Sequence, residues 1–200
     1  RPVTTITVAI AVAVFLLQNS TLRGPTLATL AFFDLRTGLQ EARPNLGLTD
    51  ILGGEAWRLV TPVFLHFSLF HILFNAYWTM LLGTAIERKR GSGKLLALLV
   101  VAAVLSNCAE YFYMERLLED AFGTRFHLFG GLSGVNYALF GYIWMMGENH
   151  PEEGLSLNSQ TVVILLAWLV ICFTGLVGNI ANMAHLAGLA VGMALGMLKF

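Results

Sequence analysis

Four polar side chains set in apolar stretches could together perform acyl transfer: Ser133, His185, His71 and Asn75. Ser133 lies in Gly130-Gly131-Leu132-Ser133-Gly134, where a polar segment gives way to an apolar run ending at Met146. A serine hydroxyl is a poor nucleophile until a neighbouring base takes its proton, and neutral imidazole suits that task near neutral pH. His185 is the candidate base, and later the acid toward a leaving amine. The tetrahedral oxyanion needs donors aimed into a low-dielectric site. The Ser133 backbone N–H at a helix start, the Asn75 amide and the His71 ring can supply them. Each residue also has an ordinary structural reading: a Ser N-cap between packing glycines, a packed histidine, an asparagine bridging two helices. No aspartate lies level with His185, and Glu110 reads as an interface or structural acid, so a dyad is expected rather than a triad. Tyr137, one turn after Ser133, shares its face and either buttresses the imidazole or is an ordinary core aromatic.

The elements that must position these groups read as membrane helices. The chain has 200 residues, 56% hydrophobic and 12% charged, with mean hydropathy +0.71, outside the range of soluble globular domains. Bilayer thickness asks for about 20 apolar residues per span. Stretches at 3–22, 61–83, 95–112, 132–146, 161–177 and 183–199 meet that demand approximately. They fill the chain, so one domain over 1–200 is expected: an all-α, six-helix membrane bundle with a long first external loop. At 1.5 Å rise per residue, Ser133 stands about 20 Å from Met146 and His185 about 21 Å from Lys199. Asn75 and His71 stand about 18 and 24 Å from Glu87, so the four fall in one layer. His71 and Asn75, four apart, share a helix face. Gly188, Gly192 and Gly196 repeat every fourth residue, which lets two helices pack closely. That would bring the sixth span against the fourth, with dimerisation through the same stripe as the rival.

Other classes find less support. The formal charge is zero, which gives nucleic acid no basic surface. Cys108 and Cys172 fall within apolar runs and read as small buried residues. His66 and His71 are five apart without a His-Glu-x-x-His pattern, so a zincin site fails and no metal is expected. His66 reads as structural, His127 and His150 as solvated. Leu27 to Phe33 is apolar but too short to span and reads as interfacial or re-entrant. The run 3–17 has a signal peptide as its rival, and a chain starting at Arg1 reads as trimmed from a longer protein. Arg88, Lys89, Arg90 and Lys94 form the densest basic cluster, which places both termini on the cytoplasmic side. The acidic loop 147–160 argues weakly against that orientation.

These residues resemble the rhomboid intramembrane serine proteases, most of all the bacterial type. The matching residues are Trp57-Arg58, the run His66-Phe-Ser-Leu-Phe-His71-Ile-Leu-Phe-Asn75, Glu87-Arg88, Gly131-Leu-Ser133-Gly134 with Tyr137, and Ala184-His185-x-x-Gly188-x-x-x-Gly192. The resemblance implies a cofactor-free, metal-free bundle in the bacterial inner membrane that cleaves single-span membrane proteins near the outer face of the bilayer. It makes Ser133 the nucleophile, His185 the base, and His71 and Asn75 oxyanion donors. It also implies supporting roles for Gly131, Gly134, Gly188 and Gly192, a substrate approach between spans two and five with Phe74 at the gate, and a first loop partly in the outer leaflet. Asn136 departs from the pattern, since a small or apolar residue is expected after Gly134-Val135. A catalytically dead scaffold of the same fold should lack the serine or the histidine, and both are present. A small transporter would need charged spans or repeat symmetry, and neither is apparent.

Overall fold

A computed structural model describes residues 1–34, 46–114, 128–178 and 180–200. Arg36, Arg43, Pro44, His127 and the mixed-charge loop 115–125 lie outside the described residues. In chain order the helices are α1 Pro2–Gln18, α2 Arg23–Leu30, α3 Leu46–Leu52, α4 Leu69–Arg90, α5 Ser92–Tyr113, α6 Ser133–Asn149, α7 Ser159–Phe173 and α8 Asn182–Met197. Short 3-10 turns occupy Ala56–Leu59, Thr61–Phe64 and Pro151–Glu153, and α4 contains a π-helical turn at Thr79–Gly83. No strand occurs among the described residues. By length and hydropathy α4 and α5 can each cross a bilayer, while α1, α7 and α8 are apolar but shorter.

α6 is the centre of the molecule. Every residue from Gly134 to Ile143 is buried, the pattern of a helix with partners on all sides. Its closest partner is α8. A Cβ on Gly188 would lie 2.0 Å from the Gly134 carbonyl oxygen, one on Gly192 2.0 Å from that of Ala138, and one on Gly196 2.6 Å from that of Tyr142. Gly141 returns the relation, with the Leu189 carbonyl oxygen 2.7 Å from its missing Cβ. The glycine stripe is therefore consumed inside the chain, which removes dimerisation as its purpose. The outside of the bundle is apolar, with Ile6, Leu16, Leu73, Tyr77, Leu96, Val163 and Val170 all exposed. Thr4, Gln18, Asn75, Thr79, Asn107, Asn136 and His185 are buried. Polar groups inward and apolar groups outward suit lipid as the solvent.

Several element boundaries differ from the sequence-based expectation, each for a local reason. The second span begins at Leu69 rather than Thr61. Pro62 belongs to a separate 3-10 turn, the chain is extended at Leu65, and Ser68 opens a new helix by accepting the His71 N–H at 3.1 Å. The first helix ends at Gln18 because Asn19 and Ser20 turn their side chains back to the Phe15 and Leu17 carbonyls. α7, expected to reach Val177, stops at Phe173, where Thr174 bonds back to Ile171 and Gly175 takes a φ of 75°.

Charged side chains, some buried and some at the surface, staple the two ends. Glu87 accepts from the Val3 and Thr4 amides at 2.9 Å each, the Thr4 hydroxyl at 2.6 Å and Ser92 at 2.7 Å. This fixes the start of α1 beside the end of α4 and makes α1 part of the bundle. At the same end Arg90 pairs with Glu153 at 3.0 Å and reaches the Lys199 and Phe200 carbonyls, while Lys199 meets Glu152 and Glu153 at 3.2 and 2.7 Å. Two of the three acids of the 147–160 stretch, Glu152 and Glu153, are thus matched by bases from other elements, and the Lys199 hydrogen bond holds the Glu153 carboxyl below its ordinary value. His150, expected to be solvated, is half-buried with its Nε2 against the Met197 carbonyl at 3.0 Å. At the opposite end Arg58 is fully buried, bonding Glu55 and, at 2.8 Å, the Ala31 carbonyl.

Gly192→Ala should lower the unfolding free energy by about 1–3 kcal/mol or more, because the new methyl meets a backbone carbonyl that cannot move aside. Gly93→Ala, with open space at its Cβ, should change it by less than about 0.5 kcal/mol or stabilise slightly. Thermal unfolding in detergent compares the two, and equal melting temperatures would contradict the packing account.

Candidate active site

The close approach of α6 and α8 decides where the candidate residues Ser133 and His185 stand. Ser133 is the first residue of α6 and half-buried, so its N–H has no partner one turn back within the helix. His185 lies in the first turn of α8 and is buried. Their neighbours touch: a Cβ on Gly134 would lie 3.1 Å from the Ala184 carbonyl oxygen and 2.9 Å from Ser106. Both residues line a cavity of about 1010 Å³ together with His71, Asn75 and Tyr137. The level placement read from helix rise thus corresponds to one shared space.

Tyr137 lies one turn below Ser133, its ring 4.8 Å from the His185 ring between centroids. Its hydroxyl donates to the Leu165 carbonyl at 3.0 Å, across to α7, so its contact with the imidazole is made by the ring and not the hydroxyl. His185 Nδ1 is buried and has no hydrogen-bond partner among the described residues. Glu110 does not serve it. That carboxylate accepts the Ala184 N–H at 3.0 Å and so caps the start of α8, one residue from His185, while bordering the same cavity.

The turn before Ser133 is shaped around glycine. Gly131 has a φ of 116°, and a Cβ there would stand 2.6 Å from His71 Nε2 and 3.7 Å from Asn75 Nδ2. The Phe67 N–H donates to His71 Nδ1 at 3.4 Å. A neutral ring accepting at Nδ1 carries its hydrogen on Nε2, the nitrogen beside Gly131. His66 is fully buried one ring away, 4.8 Å from His71 between centroids. Its Nδ1–H faces the Phe64 carbonyl at 3.1 Å, which leaves Nε2 to accept the Leu132 N–H at 3.4 Å. His66 is structural, as expected from the sequence, and what it supports is the backbone directly before Ser133.

Residues 53–200 match the family model of the rhomboid domain. The chain belongs to the rhomboid family. Among similar proteins, the Rhomboid protease GlpG of Salmonella paratyphi A, that of Salmonella choleraesuis and that of Salmonella newport are each 42% identical over 149 residues, 74% of this chain and 50% of theirs. The match therefore spans about half the length of these curated relatives.

Within this rhomboid, sequence reasoning misses the groups that hold the site in place. Gln18 of α1 accepts the His66 N–H at 3.1 Å and donates to the His66 carbonyl, clamping the segment before α4. Trp168 of α7 packs on Phe74 at 5.0 Å and Phe70 at 6.4 Å between ring centroids. Phe74 thus faces α7 and meets an aromatic partner there. Gln18 carries a usable signal, being a long polar side chain within an apolar run. Trp168 carries none, since an aromatic facing lipid reads the same in sequence.

Glu110→Ala should lower the unfolding free energy by about 1–3 kcal/mol by leaving the α8 N-terminus without its acceptor. Glu110→Gln keeps a carbonyl oxygen and should lose less than half as much. Denaturant titration of both variants measures this, and equal losses would show that packing, not the acceptor, matters.

Proposed function

We propose that this rhomboid is an intramembrane serine endopeptidase that hydrolyses a peptide bond at the outer end of single-span membrane proteins through a Ser133–His185 dyad. The convergence of Ser133, His185, His71 and Asn75, from three helices, on one cavity beside a glycine turn carries the reading. The family and the names of the similar proteins support it.

In the first step Ser133 Oγ attacks the scissile carbonyl carbon while its proton passes to His185 Nε2. The carbonyl oxygen gains the electron pair and is met by the Ser133 N–H, the His71 Nε2–H and the Asn75 amide. Collapse expels the amine, which takes the proton from His185, and leaves an acyl ester on Ser133. Water, deprotonated by His185, then releases the acid and restores the hydroxyl. The unpartnered His185 Nδ1, with Glu110 engaged at the helix start, supports a dyad rather than a triad. Among the described residues no group of acids, histidines and cysteines gathers in metal-binding number, and the mechanism needs none.

The aromatic contact between α4 and α7, at Phe70, Phe74 and Trp168, supports substrate entry from the lipid on that side, with Phe74 at the gate. The basic and acidic ties that gather the start of α1 and the ends of α4 and α8 support a six-span inner-membrane arrangement. The termini are then cytoplasmic and the cavity opens outward. The substrates are membrane proteins, the bilayer is the medium, and no nucleic acid or cofactor takes part.

Fluorophosphonate labelling in detergent tests the dyad. The wild-type protein should label, Ser133→Ala should not, and His185→Ala should lose labelling and cleavage of a single-span reporter by about 10⁴-fold or more. Labelling that persists in Ser133→Ala would falsify the assignment. A helical substrate must also unwind before its carbonyls can be reached. Gly and Pro disfavour helix by about 1 and 3 kcal/mol relative to Ala. Replacing them with Leu near the outer end of a substrate should slow cleavage severalfold, and an unchanged rate would mean that unwinding does not limit turnover.

A further inference from the structure

Asn136 occupies a position where the family resemblance leads one to expect a small or apolar residue, and the structure gives it a complete set of partners. It is buried in α6, three residues past Ser133 on the chain, and borders the cavity. Thr79, at the start of the π-helical turn of α4, donates its hydroxyl to Asn136 Oδ1 at 2.8 Å. Asn136 Nδ2 donates to the Asn75 backbone carbonyl at 3.1 Å and to Asn75 Oδ1 at 3.0 Å. π-helical turns of this kind occur often at functional sites.

These bonds, with the Asn75 bond to His71, set which way the Asn75 amide points. A backbone carbonyl can only accept, so the Asn136 nitrogen must face Asn75 O. Its second hydrogen then requires an acceptor, which sets the Asn75 side-chain oxygen on that side. The Asn75 nitrogen is left on the opposite side, where it donates one hydrogen to the His71 carbonyl at 3.0 Å. The same nitrogen lies 3.7 Å from the point a Gly131 Cβ would fill. Asn75 borders the cavity with that nitrogen, so its other hydrogen is the amide donor nearest the space above Gly131.

We propose that Thr79 and Asn136 form a positioning relay that locks the Asn75 amide with its N–H toward the oxyanion. This rests on the protease reading above. Asn136 touches no reacting atom; it acts through Asn75. A donor whose orientation is set before reaction costs no reorganisation as charge develops, and loss of a single donor at such a site is worth about 10²–10³ in turnover. Freeing the amide to rotate should forfeit part of that. A donor that meets only the charge developing in the transition state acts on turnover, so kcat should change and KM should not.

The test uses the full chain in detergent or bilayers with a single-span reporter. Asn136→Val should lower kcat about tenfold with KM within about twofold of wild type, and Thr79→Val, which removes only the hydroxyl, about threefold. On an Asn75→Ala background, Asn136→Val should have no further effect, because the group it orients is gone. Melting temperatures accompany each variant. An unchanged kcat in Asn136→Val overturns the relay, as does an equal loss with and without Asn75, which would assign Asn136 to packing alone. If Asn136→Val does not fold, Thr79→Val and its double variant with Asn75→Ala decide by the same comparison. Failure of the protease reading is seen separately, as wild-type protein that neither labels nor cleaves.

Discussion

The structure depends on how closely the backbones of α6 and α8 approach. Gly188, Gly192 and Gly196 place their α-carbons against the carbonyls of Gly134, Ala138 and Tyr142, too near for any side chain. In lipid there is little hydrophobic force to pull helices together, so close van der Waals packing and polar contacts must do it. The register of this contact sets Gly134 beside Ala184, and hence Ser133 and His185 on one cavity. A larger residue anywhere along the stripe would separate the two elements that carry the candidate nucleophile and base.

Around that contact, the polar groups form pairs that leave few needs unmet. Buried amides and carboxylates without partners are costly where no water competes. Gln18 holds His66, His66 holds the amide before Ser133, and Glu110 holds the amide before His185. The polar residues of the bundle thus serve one another and the helix starts, and the candidate pair Ser133 and His185 each follow a residue whose N–H is held by a side chain. His185 Nδ1 is an exception, buried and without a partner among the described residues. An imidazole with one nitrogen sealed in this way offers the cavity only the other.

Much of this arrangement is legible in the amino-acid string. Ser133 and His185 stand out because polar side chains within apolar runs are rare, and a rise of about 1.5 Å per residue puts them level with His71 and Asn75. The four-residue glycine repeat announces a close helix pair. The start of α4 is harder to place, because apolar character runs almost unbroken from Pro62 into the helix. Its boundary is made instead by an extended Ser68 accepting from His71. The ends of α1 and α7 escape notice for a similar reason, being set by polar side chains that fold back on their own turns.

Composition and spacing are enough to establish that the chain is helical and lipid-facing, which side chains could do chemistry, and which helix surface could pack tightly. Those properties are local or periodic, and a linear string records them. Who holds whom emerges only in the packed bundle: Gln18 with His66, Glu110 with Ala184, Thr79 and Asn136 with Asn75. Such partners are far apart in the chain, and their pairing depends on hydrogen-bond direction at separations of about 3 Å. The relative rotation and depth of packed helices settle that direction, and no single sequence records them.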